Sequence, residues 1–394
     1  MAVSPAAASR GDSASALNRF VEARLAESSN ELQAASSVYA ESLKEQPDNA
    51  LLAGKAYVSA IRAGDFDLAV KAARTLQLRS KMDPEMPLVI LADAFAARDW
   101  KTVELAMVEL EALKNFSFLQ PFLEAWIATA KGQGDAATLS SNQNNPTAQY
   151  YLEEQMVLNR LANRRESEAV GLLVSLVQRD EARMAPIRMI AARHFWAIND
   201  PATAKEILRS RSSGPEQKLL RQIEAGQRKG VVQKVNASLG LAFLFQRLSN
   251  DLAAQQARFP SQVMAQVGAR VAGKSDYAFL TLGRSYAAAE NHELAVAEFS
   301  KIGEQSPYHL VALSSAISSL ATSKQYDQAI ARADIALKAN PDAPELHILK
   351  GQTLQVKGDN AAAAASFESA IKLGEQLERP AMLMASYWLA LGGA

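Results

Sequence analysis

Cysteine is absent from the 394-residue chain. That excludes disulfides, thiolate nucleophiles and Cys-based zinc or iron–sulfur sites, and it leaves the redox compartment open. Net charge is absent too, since 42 Lys and Arg balance 42 Asp and Glu. A nucleic-acid binder carries a basic excess to neutralise phosphates, so that class of partner is excluded. No stretch reaches the roughly 18 consecutive apolar residues that a membrane span needs. Histidine is scarce: His194, His292, His309 and His347 are the full set, and no two stand three or four apart as a helical metal pair would. No serine has a G-x-S-x-G context. Paired acids such as Glu153-Glu154 and Asp180-Glu181 read as solvated charge on polar helical faces. The expectation is a protein with no catalytic constellation, no cofactor and no metal.

What the chain has is apolar bulk without aromatics. Apolar residues make up 48% and aromatics only 7%, and much of the difference is alanine, which favours closely packed helices over sheets. From Leu17 on, apolar residues recur at helical spacing. Turn signals such as Ala63-Gly64-Asp65, Asn199-Asp200-Pro201, Ala289-Glu290-Asn291 and Lys357-Gly358-Asp359 interrupt them. No run of alternating β-branched residues occurs. The fold class is all-α. Residues 1–15 are small, polar and aperiodic and read as a disordered leader. They lack the basic head and apolar run of an intact signal peptide. Arg10-Gly11-Asp12 spells an integrin-type motif and nothing around it supports one.

A period of 34 residues organises the rest. It relates Gly283, Ile317 and Gly351, then Ala295, Ala329 and Ala363, and then Phe299, Ala333 and Phe367. Ile302, Ala336 and Ala370 keep it, as do Pro307 and Pro341, and Ala35, Ala69 and Val103 show it near the N-terminus. Small residues suit the point where two antiparallel helices cross, a larger side chain one turn on fills the gap, and proline stops the unit. The pattern resembles the tetratricopeptide repeat, most fully in 277–307 and 310–341. Asp65–Val70 and Gln325–Ile330 reproduce that family's inter-helix turn. The resemblance implies an α-solenoid superhelix of about ten or eleven helical hairpins, since each such repeat is one hairpin. Residues 16–146 form an N-terminal array and 147–275 divergent helical repeats. Residues 276–377 form the best-matched array, and 378–394 a capping or docking helix. Between about 211 and 275 the period fails. The N-terminal half also resembles large repeat proteins of Gram-negative bacteria, many of them exported.

Two features compete with that reading. Gly268-Ala-Arg-Val-Ala-Gly273-Lys274-Ser275 spells the phosphate-binding P-loop, and Leu88–Asp93 imitates its accessory apolar-then-Asp motif. A working P-loop follows a buried parallel strand, which is missing here, so the segment is expected to be an inter-helix loop. Nucleotide binding through Gly268–Ser275 is the remote alternative. Residues 179–234 carry 12 basic residues against six acidic ones, either a scattered solvated surface or a dock for an acidic segment or anionic headgroup.

In such an array the first helix of each unit lines the concave face, and the resemblance places function there. The expected groove positions are Phe20, Arg24, Ile61, Arg62, Leu88 and Phe95 near the N-terminus, with Trp196 aimed at the groove or the core. Toward the C-terminus they are Tyr277, Arg284, Ser314, Ser318, Gln352 and Gln355. The first set suits an apolar segment with a nearby carboxylate, the second an extended peptide. The Lys/Asn/Arg clamp of the family's chaperone-binding members has no counterpart among the C-terminal positions. The function read from this is a non-enzymatic scaffold that captures protein or peptide partners in the groove. The alternative is a regulatory or assembly subunit of a cell-envelope enzyme or export complex that docks by its lateral surfaces. The location is periplasmic if a signal peptide has been removed, and otherwise cytoplasmic.

Overall fold

The computed structural model describes residues 5–134, 139, 145–177, 182–209, 214–273 and 275–394, with side chains from residue 17. Among these residues every regular element is helical and no strand occurs. Helices pair in chain order: α1 (Pro5–Ser28) with α2 (Leu32–Glu45), α3 (Ala50–Ala63) with α4 (Phe66–Leu78), and α5 (Met86–Ala97) with α6 (Trp100–Leu113). After α7 (Gln120–Ala130) come α8 (Pro146–Ala162) with α9 (Glu166–Val177), then α10 (Ala185–Ala197) with α11 (Pro201–Arg209). Next are α12 (Gly214–Glu224) and a longer pair, α13 (Ala237–Ala254) and α14 (Arg258–Ala272). The remaining helices are α15 (Asp276–Ala288), α16 (His292–Ser300), α17 (His309–Thr322), α18 (Tyr326–Ala339), α19 (Pro344–Lys357), α20 (Asn360–Gln376) and α21 (Ala381–Gly392). The segment 5–15, expected to be a disordered leader, lies inside α1.

The turn signals work through one device. A left-handed residue ends the first helix, and where the next residue is Asp or Asn it caps the second. The left-handed positions are Asn30, Gly64, Arg98 and Gly132, and again Glu290, Lys324 and Gly358, each 34 residues from the last within its series. Gly64 (φ 75°) and Gly358 (φ 94°) adopt this conformation without a Cβ clash. Beside them Asp65 and Asp359 accept a hydrogen bond from the backbone N–H three residues on, as do Asp99 and Asn291.

The chain divides into two compact units. One comprises 1–213 and 220–278, the other 214–219 and 279–394. Apart from 214–219, the segment 147–275 thus shares a unit with 16–146. In the second unit the 34-residue period is a packing rule. A Cβ on Gly283 would lie 2.4 Å from the Phe299 ring, and one on Gly351 would lie 2.5 Å from the Phe367 ring. In the hairpin between them the sizes are exchanged: Ile317 and Ala333 are both buried in one cluster. Each pair fills the same space with its bulk on opposite helices, which keeps the interior close-packed.

Candidate functional site

The inner face of the first unit is made by α3, α5, α7 and α8. Of these, α3 and α5 carry the expected groove positions Ile61, Arg62, Leu88 and Phe95, and the chain's own α13–α14 hairpin occupies the face. Helix α14 packs on α3 and α5, and α13 packs on α7 and α8. The five consecutive residues Leu88 to Ala92 of α5 are all fully buried, which requires cover on every side of the helix. Three expected groove anchors are therefore core: Ile61 and Leu88 are 0% exposed and Phe95 is 4% exposed. Gln266 Nε2 donates to the Ile61 carbonyl at 2.6 Å, and Phe259 meets Tyr57 edge-on at 6.2 Å.

Charged side chains lock the hairpin in place. Arg270 donates to Asp93 at 2.6 Å and to Asp67 at 2.8 Å, and its guanidinium lies over the Phe66 ring. Deeper in, Arg247 makes two bonds to Glu154, at 2.5 and 3.0 Å, both residues being under 5% exposed. Burial alone would lower the Arg247 pKa, but the Glu154 carboxylate, joined by Tyr277 and Asp251, outweighs it and the net shift is upward. Glu154 is thus half of a buried pair, against the expectation of a solvated acid. Arg183 holds Asp251 at 2.9 Å and stacks on Tyr150 at 3.8 Å. Burial, and next the Asp251 carboxylate, push the Tyr151 hydroxyl pKa up. His194 Nδ1 accepts from the Val235 N–H at 3.0 Å, and burial pulls its pKa down.

The P-loop spelling falls on this hairpin. Gly268 to Ala272 are helical, not the loop expected, and no strand precedes them among the described residues. Gly268 is buried against Ala242 and Phe245, and Arg270, a variable position of the motif, binds the Asp93 of the imitated accessory motif. Lys274 lies outside the described residues. Several residues of the basic run at 179–234 make internal contacts as well. Arg183 binds Asp251, Arg193 binds the Val231 carbonyl at 2.8 Å, and Lys218 binds the Glu304 carbonyl at 2.5 Å. Arg179 and Arg211 lie outside the described residues.

Other expected positions are tied down. Trp196 is half-buried, donates to the Gln227 carbonyl at 2.8 Å and carries Arg228 over its ring, so it anchors a connecting segment. Tyr277 is buried, stacks on Phe243 at 6.0 Å and accepts from Asn250. Phe20 is half-buried against Tyr39. In the second unit Arg284, Ser318 and Gln352 are exposed and Ser314 is half-exposed, while Gln355 donates to the Gly393 carbonyl at 2.5 Å.

Part of the first unit's inner face remains open. A groove of about 430 Å³ lies between α1 and α3, and it brings together the expected Arg24 and Arg62. Lys55 and Lys81 join them, Glu27 is the one acid in the lining, and Leu51 (71% exposed) and Val58 give it an apolar floor. Arg24 pairs with Glu27. Leu51, Lys55, Val58 and Arg62 share one face of α3 by their spacing of three or four. That signal was available in the sequence for the three residues it missed there, Leu51, Lys55 and Val58. Lys81 lies beyond α4 and has no such signal.

No family model matches the chain, and no curated protein matches it. Among solved structures it is similar to a chain of the APC/C hetero-tetramer Cut9–Hcn1 at 13% identity and TM-score 0.33, covering 95% of this chain and 82% of that one. It is also similar to the P58(IPK) TPR domain, at 11% identity and TM-score 0.26, covering 96% and 98%. Yeast Tom70 aligns at 10% identity and TM-score 0.26, covering 96% of each chain.

Proposed function

We propose that the protein is a non-enzymatic interaction scaffold that holds a partner polypeptide in the groove between α1 and α3. The observation that carries this reading is the lining of that groove, where Arg24, Lys55, Arg62 and Lys81 surround an exposed apolar floor. Buried apolar contact supplies affinity, and the surrounding cations select an acidic segment. The exposed Arg284, Ser318 and Gln352 are further contact positions in the second unit. A photo-crosslinking residue in place of Val58 tests the reading, with one in place of the exposed Leu78 on α4 as control. A single protein band captured at position 58 and missing at 78 is expected. Equal capture at both would end the proposal.

A second reading, an assembly subunit docking by a lateral surface, is favoured by α21, where Met382, Trp388 and Leu389 are 88, 53 and 79% exposed. The periplasmic location is part of the proposal and is checked by fractionating native cells.

A further inference from the structure

A second groove, of about 490 Å³, lies between α17 and α18 in the second unit. His309 and Leu313 line it from α17, Gln328, Ala331, Arg332 and Ile335 from α18, and Glu304 from the segment before α17. Arg332 is half-buried, its Nη2 donates to Ser300 Oγ at 2.8 Å, and its Nε is buried with no hydrogen-bond partner. Among the described residues no carboxylate pairs with it, and the nearby Asp334 is held by Lys350 at 2.6 Å. Arg183, Arg247 and Arg379, which are also half-buried or buried, each meet a carboxylate, and Arg193 is held by two backbone carbonyls. Burial draws the Arg332 pKa down, yet a guanidinium keeps its proton, so a charge stands partly desolvated without a paired carboxylate, Glu304 of the same groove making no ion pair with it.

The groove has a shape as well as a charge. Gln328, Ala331, Arg332, Ile335 and Ala339 of its lining follow the helical spacing of α18, three turns or about 16 Å of one face. Ala331, Ala336 and Ala339 keep that face low enough for another helix to approach. Ile335 is 69% exposed one turn from Arg332, beside Leu313.

We propose that this groove docks a helical segment of a partner protein carrying an Asp or Glu one turn from a large apolar side chain. The carboxylate takes the Nη end of the Arg332 guanidinium, and the apolar group rests on Ile335 and Leu313. The site is separate from the groove between α1 and α3 and does not depend on it.

The test selects a displayed library of amphipathic helical peptides on the full chain, with depletion on the Arg332→Met variant. The recovered sequences are then measured as amidated peptides by fluorescence anisotropy. Sequences with an acidic residue inside the apolar stripe are expected. Changing that residue to Gln, or using Arg332→Met, should each weaken binding at least tenfold, with no further loss when the two are combined. Ile335→Lys alters an exposed position and should also weaken binding, which keeps the test decisive if Arg332→Met folds poorly. Failure to recover any sequence that distinguishes wild type from Arg332→Met overturns the proposal. So does full affinity after the acid is changed to Gln.

Discussion

The indole of Trp126 fills the space where a side chain on Gly240 would begin: Cη2 lies 2.0 Å from the position of a Cβ there. Trp126 is fully buried and donates to Gln155 at 2.8 Å, so it has no room to withdraw. Gly240→Ala is therefore expected to push α13 off α7 and to cost about 3 kcal/mol or more, the upper range for overpacking. Trp126→Phe should recover part of that loss in the double variant. Urea unfolding of the two single variants and the double variant measures the coupling. An unchanged midpoint for Gly240→Ala would show that the hairpin is not seated on Trp126.

The Glu154–Arg247 pair should behave as a buried ion pair does. Glu154→Gln leaves the Arg247 charge uncompensated in the interior, at an expected cost of about 3–5 kcal/mol. The double variant Glu154→Leu with Arg247→Met should be more stable than Glu154→Gln, because it removes both charges. A double variant less stable than the single one would place the value of the pair in its shape and not its charge.

Acidification should weaken the fold through His194. Burial lowers its pKa from the ordinary 6.5 in the folded chain. Just below pH 6.5 the unfolded chain therefore binds a proton that the folded chain does not, and stability falls as pH drops through that range. His347, lowered first by burial and then by Lys350, adds a slope of the same sign. Urea unfolding at pH 7.5, 6.5 and 5.5 should show the decline, and His194→Gln should flatten part of it. The same slope with and without His194 would remove it as the source.

The exchange of sizes between hairpins makes a sharper claim. Gly351 accommodates Phe367, whereas the equivalent positions hold Ile317 and Ala333. Gly351→Ile alone should overpack, and Phe367→Ala alone should leave a cavity costing about 3–5 kcal/mol. Together they recreate the arrangement found one repeat earlier, and the double variant should be more stable than either single one. Calorimetry of the three variants decides it, and strictly additive losses would show that the pairs are independent.

The repeat was legible because it is written locally. Spacing of 34 residues, small residues at crossings and Gly-Asp turns are signals that neighbours along the chain determine. The occupied inner face was not legible, because Gln266 and Ile61 are 205 positions apart and nothing local in Ile61, Leu88 or Phe95 says what covers them. The failure of the period at 211–275 was the visible trace of that contact: α13 and α14 are buried on more than one face, as central helices must be. Arg24 and Arg62 stayed in an open groove, because α14 reaches α3 through Tyr57, Ile61 and Gln266 and leaves the Leu51–Val58 face free.

The last helix divides sharply between a covered and an open side. Tyr387 is buried against Ala370 and Ile371, and Met384 Sδ lies 2.5 Å from the position of a Cβ on Gly374, so this side of α21 is packed onto α20. Met382, Trp388 and Leu389 point away and are largely exposed. The two sides predict different outcomes. Ending the chain after Arg379 uncovers Ile371 and Tyr387's seat on α20, and should lower the melting temperature of the second unit by about 5 °C or more, the scale of a loss of one to two kcal/mol in a domain of this size. Trp388→Lys removes apolar surface that touches little and should leave the melting temperature where it was. If the truncated chain melts like the full one, α21 contributes no cover to α20. If Trp388→Lys instead destabilises, the side taken as open is packed in solution, and light scattering of the wild type would then show an assembly larger than one chain.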